Sequence, residues 1–302
     1  MSAFNLLVIL GTTASGKTKL AVELARQLNG EVISADSRQV YRGLNIGSGK
    51  DLEEYQEIPY HLIDIVDPGY EYNVFDFQQD FVKAFEDVAA RNKLPILAGG
   101  SALYVDSVLK GYRMVAVPEN PELRRQLAAL DHQALVERLL SVKPKQHNTT
   151  DLLDRDRLVR AIEIAEGEAS ANAKLPPFPE ITPFILGIDW SRDIVRKRIT
   201  ARLEQRLNQG MIEEVKGLHE QGVSWETLDF YGLEYRFVGQ YLQNRLNRND
   251  MFQKLNSAIH QFAKKQQTWL RRLQRNGLTI HWLDGQKDTF HQAMARIAKA
   301  NG

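Results

Sequence analysis

Short apolar runs recur through the first hundred positions and alternate with longer stretches in which apolar residues return every three or four places. Leu6-Leu7-Val8-Ile9-Leu10 is the first run, and Glu31-Val32-Ile33-Ser34-Ala35, His61-Leu62-Ile63-Asp64-Ile65 and Leu94-Pro95-Ile96-Leu97-Ala98 follow. Runs of this length, bounded by turn residues and rich in branched side chains, predict buried strands. Between them Lys17 to Leu28, closed by Gly30, predicts a helix, as does Phe75 to Arg91, whose Phe77, Phe81, Ala84, Phe85 and Val88 read as core packing. Gly99-Gly100-Ser101 then leads into a helix ending at Leu109. Strands and helices in alternation predict an α/β fold built on a doubly wound parallel sheet.

Past Gly111 the pattern changes. Pro118 and Pro121, helical segments over 122–142 and 154–166, and Pro176-Pro177-Phe178-Pro179 describe a small helical insertion domain. We place it at 113–182, between core segments 1–112 and 183–302. Phe184-Ile185-Leu186-Gly187-Ile188 resumes the sheet, and beyond Asp189 the pattern is helical over 193–209, 211–221 and 257–275. In the last of these, Ile259, Phe262, Gln266, Trp269 and Leu273 form one largely apolar stripe. Lys264, Thr268, Arg271 and Arg275 fall on another face.

Composition narrows the class. A chain of 302 residues with 43% hydrophobic and 25% charged residues has enough material for one large or two unequal domains. It has no cysteine, which removes disulfides and thiolate metal sites and fits a reducing compartment. The first apolar run lacks a basic leader and ends at Gly11, so it reads as a strand, not a signal peptide. No window is long and apolar enough to span a bilayer. A cytoplasmic location without a membrane partner is therefore expected, and the lack of a heptad seam makes a monomer the expected state. The net charge of +1 hides an uneven distribution, because arginines and lysines crowd the stretch from Arg192 to Arg275. That asymmetry fits an anionic partner such as nucleic acid, or simply solvated helix faces.

Candidate chemistry centres on Gly11-Thr12-Thr13-Ala14-Ser15-Gly16-Lys17-Thr18, which fits G-x-x-x-x-G-K-[ST] between a strand and a helix. Its glycines let successive N–H groups point at anionic oxygens, the helix adds its positive end, Lys17 a full charge and Thr18 a hydroxyl for Mg²⁺. The loop does not name the phosphate's owner, since nucleoside triphosphates and other pyrophosphates offer the same oxygens. Asp36 follows the second strand, on the sheet edge where ligands bind. A carboxylate there needs Mg²⁺ or a basic substrate group beside it, unless it is a turn or N-cap residue. His61 and Asp64 read either as site residues or as hydrogen-bonded structure.

Together these segments resemble the bacterial tRNA dimethylallyltransferases, also called tRNA isopentenyltransferases. The resemblance spans essentially the whole chain. It rests on the loop at 11–18, Asp-Ser-Arg-Gln-Val-Tyr-Arg-Gly-Leu-Asn-Ile-Gly-Ser-Gly-Lys at 36–50, His-Leu-Ile-Asp at 61–64 and Gly-Gly-Ser-Ala-Leu-Tyr at 99–104. Asp-Arg-Leu-Val-Arg-Ala-Ile-Glu at 156–163 and Ala-Lys-Lys-Gln-Gln-Thr-Trp-Leu-Arg at 263–271 complete it. The resemblance implies transfer of a dimethylallyl group from dimethylallyl diphosphate to N6 of the adenine 3′ of certain tRNA anticodons. Gly11, Thr13, Ala14, Ser15, Gly16, Lys17, Thr18, Arg198 and Arg202 would then bind diphosphate, with Mg²⁺ on Thr18. Asp36 matches the general base, and Thr13, Lys17 and Arg202 complete the catalytic set. Asp36, Ser37, Arg38, Gln39, Ser101, Arg124, Asp156, Arg157, Arg160, Tyr235, Arg236, Lys264, Lys265, Gln266, Thr268, Trp269 and Arg271 match positions that contact the tRNA anticodon stem-loop. The chain departs from the family at Thr12 (usually proline), Ser101 (commonly threonine), Glu234 (usually glycine) and His260 (usually arginine). An alternative is an adenylate isopentenyltransferase acting on free nucleotide, which shares the loop and Asp36 but does not need the Lys264–Arg271 helix.

Overall fold

The computed structural model describes residues 3–112, 114, 116–144, 152–170 and 178–301. The chain divides into two compact units, one formed by Met1–Tyr112 with Pro179–Gly302 and the other by Arg113–Phe178.

The larger unit opens with β1 (Leu6–Gly11), α1 (Lys17–Leu28), β2 (Gly30–Ala35), β3 (Tyr60–His61), α2 (Val74–Ala90), β4 (Leu94–Gly99) and α3 (Ala102–Leu109). In the smaller unit α4 (Pro121–Ala128), α5 (His132–Val142) and α6 (Arg155–Ser170) pack around Leu123, Leu127, Leu135, Leu139, Leu158 and Ile162. The segment over 122–142 is two helices where one periodic stretch was expected. Asp131 starts the second by accepting a hydrogen bond from Ala134 N at 2.8 Å, and such a cap ends the preceding helix.

The chain then returns to the larger unit through β5 (Pro183–Asp189), α7 (Arg192–Asn208), α8 (Met211–Glu220), α9 (Trp225–Phe230), α10 (Leu233–Leu242), α11 (Arg248–Arg275), β6 (Ile280–Asp284) and α12 (Thr289–Asn301). The sheet is six-stranded in the order β3-β2-β4-β1-β5-β6, and every pairing is parallel. β2, β3 and β4 all lie on one side of β1, with β4 beside it, and the chain resumes with β5 on the other side, which makes the C-terminal end of β1 the point where a ligand crevice opens. Leu7, Ile9, Val32, Ile96 and Leu186 bury one face of the sheet against Leu20 and Leu24 of α1 and Ala293 and Ile297 of α12. Each fully buried aliphatic side chain of this kind contributes about 1.5–3 kcal/mol.

Several sequence expectations are corrected. Gly30 does not close α1: Asn29 does, in the left-handed region at φ 51°, and Gly30 already belongs to β2. The strand expected over 61–65 shrinks to Tyr60–His61, because Leu62 and Asp64 take positive φ of 62° and 56° and no strand survives such turns. The C-terminal part is not wholly helical. Ile280–Asp284 pairs with Ile185–Asp189 as the last strand, with His281 stacked on Phe184 at 4.4 Å. Helix α11 also begins nine residues before Ser257, at Arg248, where Asn247 caps it through Asp250 N.

Candidate active site

The loop after β1 takes its shape from close packing. A side chain on Gly11 would put its Cβ 2.6 Å from Ser15 Oγ, and Gly16 enters α1 at φ 90°, where a Cβ is strained. Ala14 also has positive φ, at 59°. The turn is clamped from three directions. Trp190 Nε1 donates to Ser15 O at 3.0 Å, and Arg198 Nε donates to Ala14 O at 2.8 Å while lying 4.4 Å over the Trp190 ring. Gln266 on α11 accepts from Thr13 N at 2.8 Å and donates to Gly100 O at 3.2 Å, tying the loop to the end of β4. Ser15 Oγ is buried with no hydrogen-bond partner among the described residues, a polar atom left inside an anion cradle.

Positive charge accumulates here beyond its local compensation. Burial pushes the Lys17 ammonium down to about 8, Arg202 adds to the fall and Asp36 opposes it. Arg198 and Arg206 are also pushed down, by burial first and by Arg202 next. Lys17 Nζ donates to Thr12 O at 2.7 Å, and Arg202 pairs with Asp51. Cations crowded around Arg202, which lowers the pKa of Lys17, Arg198 and Arg206, favour an anionic ligand carrying more than one charge.

Two cavities meet at this cluster. One, of about 1170 Å³, is lined by Thr13, Asp36, Ser101, Glu234, Phe262 and Lys264 among others; the second, of about 820 Å³, by Ala14, Ser15, Gly16, Asp51 and Arg198. Lys17, Thr18, Arg202 and Arg206 line both. Asp36 sits at the end of β2 with its Oδ1 accepting from Arg38 N at 2.9 Å, and Ser101 Oγ accepts from Ser37 N at 2.9 Å. Gly99 makes that approach possible, since a Cβ there would overlap the Ala35 carbonyl.

Beyond Asp36, Ser37 and Ser101, the expected nucleic-acid contacts fall into four groups. Lys264, Lys265 and Thr268 are exposed and line the first cavity, with Arg272 and Arg275 continuing the basic edge; Arg271 is exposed but lies outside that lining. Phe262, expected in the apolar stripe, is 45% exposed and faces the same cavity. Gln39, Tyr235, Gln266 and Trp269 are buried and committed internally. Gln39 bonds Ser34 Oγ and Gly49 O, the Tyr235 hydroxyl joins Glu214 to Ser48 N, and Trp269 Nε1 donates to Asp106. Arg38 lies 5.2 Å over Phe230, and Arg236 pairs with Asp229 at 2.5 Å. Arg124, Asp156, Arg157 and Arg160 belong to the smaller unit. There Arg124 and Arg160 both bond the buried Glu163, while Asp156 and Arg157 are exposed.

His61 and Asp64 have structural partners: His61 bonds the buried Glu31 at 2.8 Å, and Asp64 pairs with the buried Lys50. His260 bonds the Arg196 carbonyl at 3.3 Å, tying α11 to α7. Sequence reading did not single out Arg206, which lines both cavities, although Arg198, Arg202 and Arg206 repeat every four positions, the spacing that stacks side chains on one helix face.

The family model described as IPP transferase matches residues 39–273. A tRNA dimethylallyltransferase 1 of Geotalea daltonii is 63% identical over 295 residues, covering 98% of this chain and 95% of the relative. The chain belongs to the tRNA dimethylallyltransferase family. A full-length tRNA isopentenylpyrophosphate transferase from Bacillus halodurans superimposes with a TM-score of 0.71 at 32% identity, over 98% of this chain and 95% of that one. A eukaryotic dimethylallyltransferase acting on tRNA shares the fold, with a TM-score of 0.78 and 24% identity over 97% of this chain and 78% of that one. The family-model match begins after the phosphate loop and Asp36, so the grouping of those residues rests on the geometry above.

Proposed function

We propose that the protein transfers a dimethylallyl group from dimethylallyl diphosphate to N6 of the adenine 3′ of the anticodon in certain tRNAs. The observation that carries this reading is the meeting of Lys17, Thr18 and Arg202 with Asp36 in one cavity whose rim bears the exposed Lys264 and Lys265. A diphosphate on the loop amides places its departing oxygen among those cations. As the C–O bond breaks, the electron pair leaves with the diphosphate, and Lys17 and Arg202 offset the charge that grows there. The adenine nitrogen forms the new C–N bond and loses its proton to Asp36, whose second oxygen is already held by the Arg38 amide. Thr13, whose backbone N–H donates to Gln266, lines the same cavity, and in this reading its hydroxyl serves beside the reacting atoms. To reach them the adenine must leave the anticodon-loop stack, and the 1170 Å³ cavity has room for a flipped base.

Mg²⁺ fits this donor set. The Thr18 hydroxyl, on a residue that lines both cavities beside Lys17, would offer the ion one oxygen next to the oxygens of the diphosphate. Such an ion, when bound, neutralises charge on the diphosphate.

The exposed lysines of α11 favour tRNA over free nucleotide as acceptor, and the reading includes a monomeric cytoplasmic enzyme. The experiment supplies radiolabelled dimethylallyl diphosphate and Mg²⁺ with an adenosine-bearing anticodon stem-loop and, in parallel, AMP. Label is expected on the stem-loop alone. Label on AMP moves the protein to the free-nucleotide class, and label on neither overturns the reading.

A further inference from the structure

Arg206 is a buried cation for which the reaction above has no task. It lies one turn beyond Arg202 on α7, is only 9% exposed, and lines both cavities. Its Nε has no hydrogen-bond partner among the described residues. Its Nη1 reaches Gly47 O at 3.5 Å, the outer limit of a hydrogen bond, and lies 3.9 Å from Glu234, too far for one. Gly49 makes room for it. At φ +66° a Cβ there would overlap Arg206 Nη2 and lie 3.1 Å from Arg202 Nη2, so the two guanidinium groups are near neighbours. An arginine buried beside another arginine, without a committed anion, is costly unless something negative spans the two.

We propose that Arg206 is a further diphosphate-binding residue, closing with Lys17 and Arg202 around the leaving group, and that Glu234 is its counter-charge and competes with the diphosphate for it. The proposal rests on the allyl-transfer reading. A guanidinium bonds two phosphate oxygens in parallel, which a carboxylate 3.9 Å away does not match. Glu234 therefore attracts Arg206 without holding it. The same pairing gives a partner charge to the acid at 234, where the resembled family usually has glycine.

Inorganic pyrophosphate titrated calorimetrically into the full chain tests this, alongside radiolabelled allyl transfer to the stem-loop by the wild type. Arg206→Leu is expected to weaken pyrophosphate binding at least tenfold, Arg206→Lys less, and Glu234→Gln to tighten it several-fold. A purely structural ion pair lowers the Tm of both variants and moves neither affinity. Unchanged pyrophosphate affinity in a folded Arg206→Leu protein overturns the proposal. Should that variant fail to fold, Glu234→Gln decides, and unchanged or weakened affinity there overturns it equally. A wild type that transfers label while the variants bind pyrophosphate like it sinks only the role of Arg206. A wild type that neither transfers label nor binds pyrophosphate sinks the allyl-transfer reading itself.

Discussion

Two lysines in the interior of the larger unit have been given opposite surroundings. Lys50 is fully buried, and its ammonium donates to Tyr41 O at 2.7 Å, to Asn45 Oδ1 at 2.9 Å and to the Asp64 carboxylate. Lys17, half-buried between the two cavities, donates to Thr12 O and otherwise faces Arg202 and Asp36. Burial lowers the pKa of both. For Lys50 three acceptors use every donor, so its charge is spent on pinning the 36–50 loop beside the sheet. For Lys17 the compensation is incomplete, and the deficit is available to a ligand. A saturated buried charge marks structure; an unsaturated one in a cleft marks a site.

Breaking each lysine separately should separate the two roles. Lys17→Met is expected to lower kcat/KM for the allylic diphosphate about 10³-fold, the scale for removing one preorganised charge from a developing anion. Its Tm should stay level or rise, since a repelled cation has gone. Lys50→Met should do the reverse. It leaves Asp64, a third exposed, without its cation, and a loss of about 2–3 kcal/mol in denaturant unfolding is expected, below the range for a fully buried pair. Its folded fraction should retain near-normal turnover. If Lys50→Met unfolds no more readily than wild type, the contrast between the lysines collapses.

The pH dependence sharpens the same contrast. Lys17 is held at about 8 in the folded chain against the ordinary lysine value of 10.5, so between those values the unfolded state binds more protons. Its contribution to stability therefore rises as pH climbs through that window. Lys50, lowered too, acts in the same direction, so the difference between wild type and Lys17→Met isolates the Lys17 share. Diphosphate affinity has the opposite sign, because binding needs the charged ammonium: above about pH 8 it should fall by up to about tenfold per unit, with proton uptake on binding. Calorimetry in buffers of different ionisation enthalpy reads that uptake, and its absence would remove Lys17 from the diphosphate.

The elements that carry the candidate site were the legible ones. Strands β1, β2 and β4 and helix α1 combine a period-specific apolar pattern with glycine punctuation, and they place the phosphate loop, Asp36 and Ser101 on one sheet edge. Strand β6 was not legible, because an edge strand reading Ile-His-Trp-Leu-Asp is covered on few sides and shows little apolar run. The contraction of β3 came from the Lys50–Asp64 pair and two left-handed turns, which no periodicity reveals. Arg206 was visible only as one arginine in a basic stretch. What distinguishes it is depth, and depth depends on Gly49 leaving free the space that the guanidinium fills.

The basic edge of α11 presents charges that salt screens, because Lys264 and Lys265 are exposed. Their effect should therefore appear in the acceptor and not in the diphosphate. Replacing both by alanine is expected to weaken stem-loop binding a few-fold and to reduce the slope of log K against log salt by about 1, somewhat less than two single-strand phosphate contacts would give. Pyrophosphate affinity should not move. A double variant with an unchanged salt slope would mean that the rim does not meet a phosphate backbone, and that acceptor choice rests instead on the buried Gln266 and Trp269 that hold α11 in place.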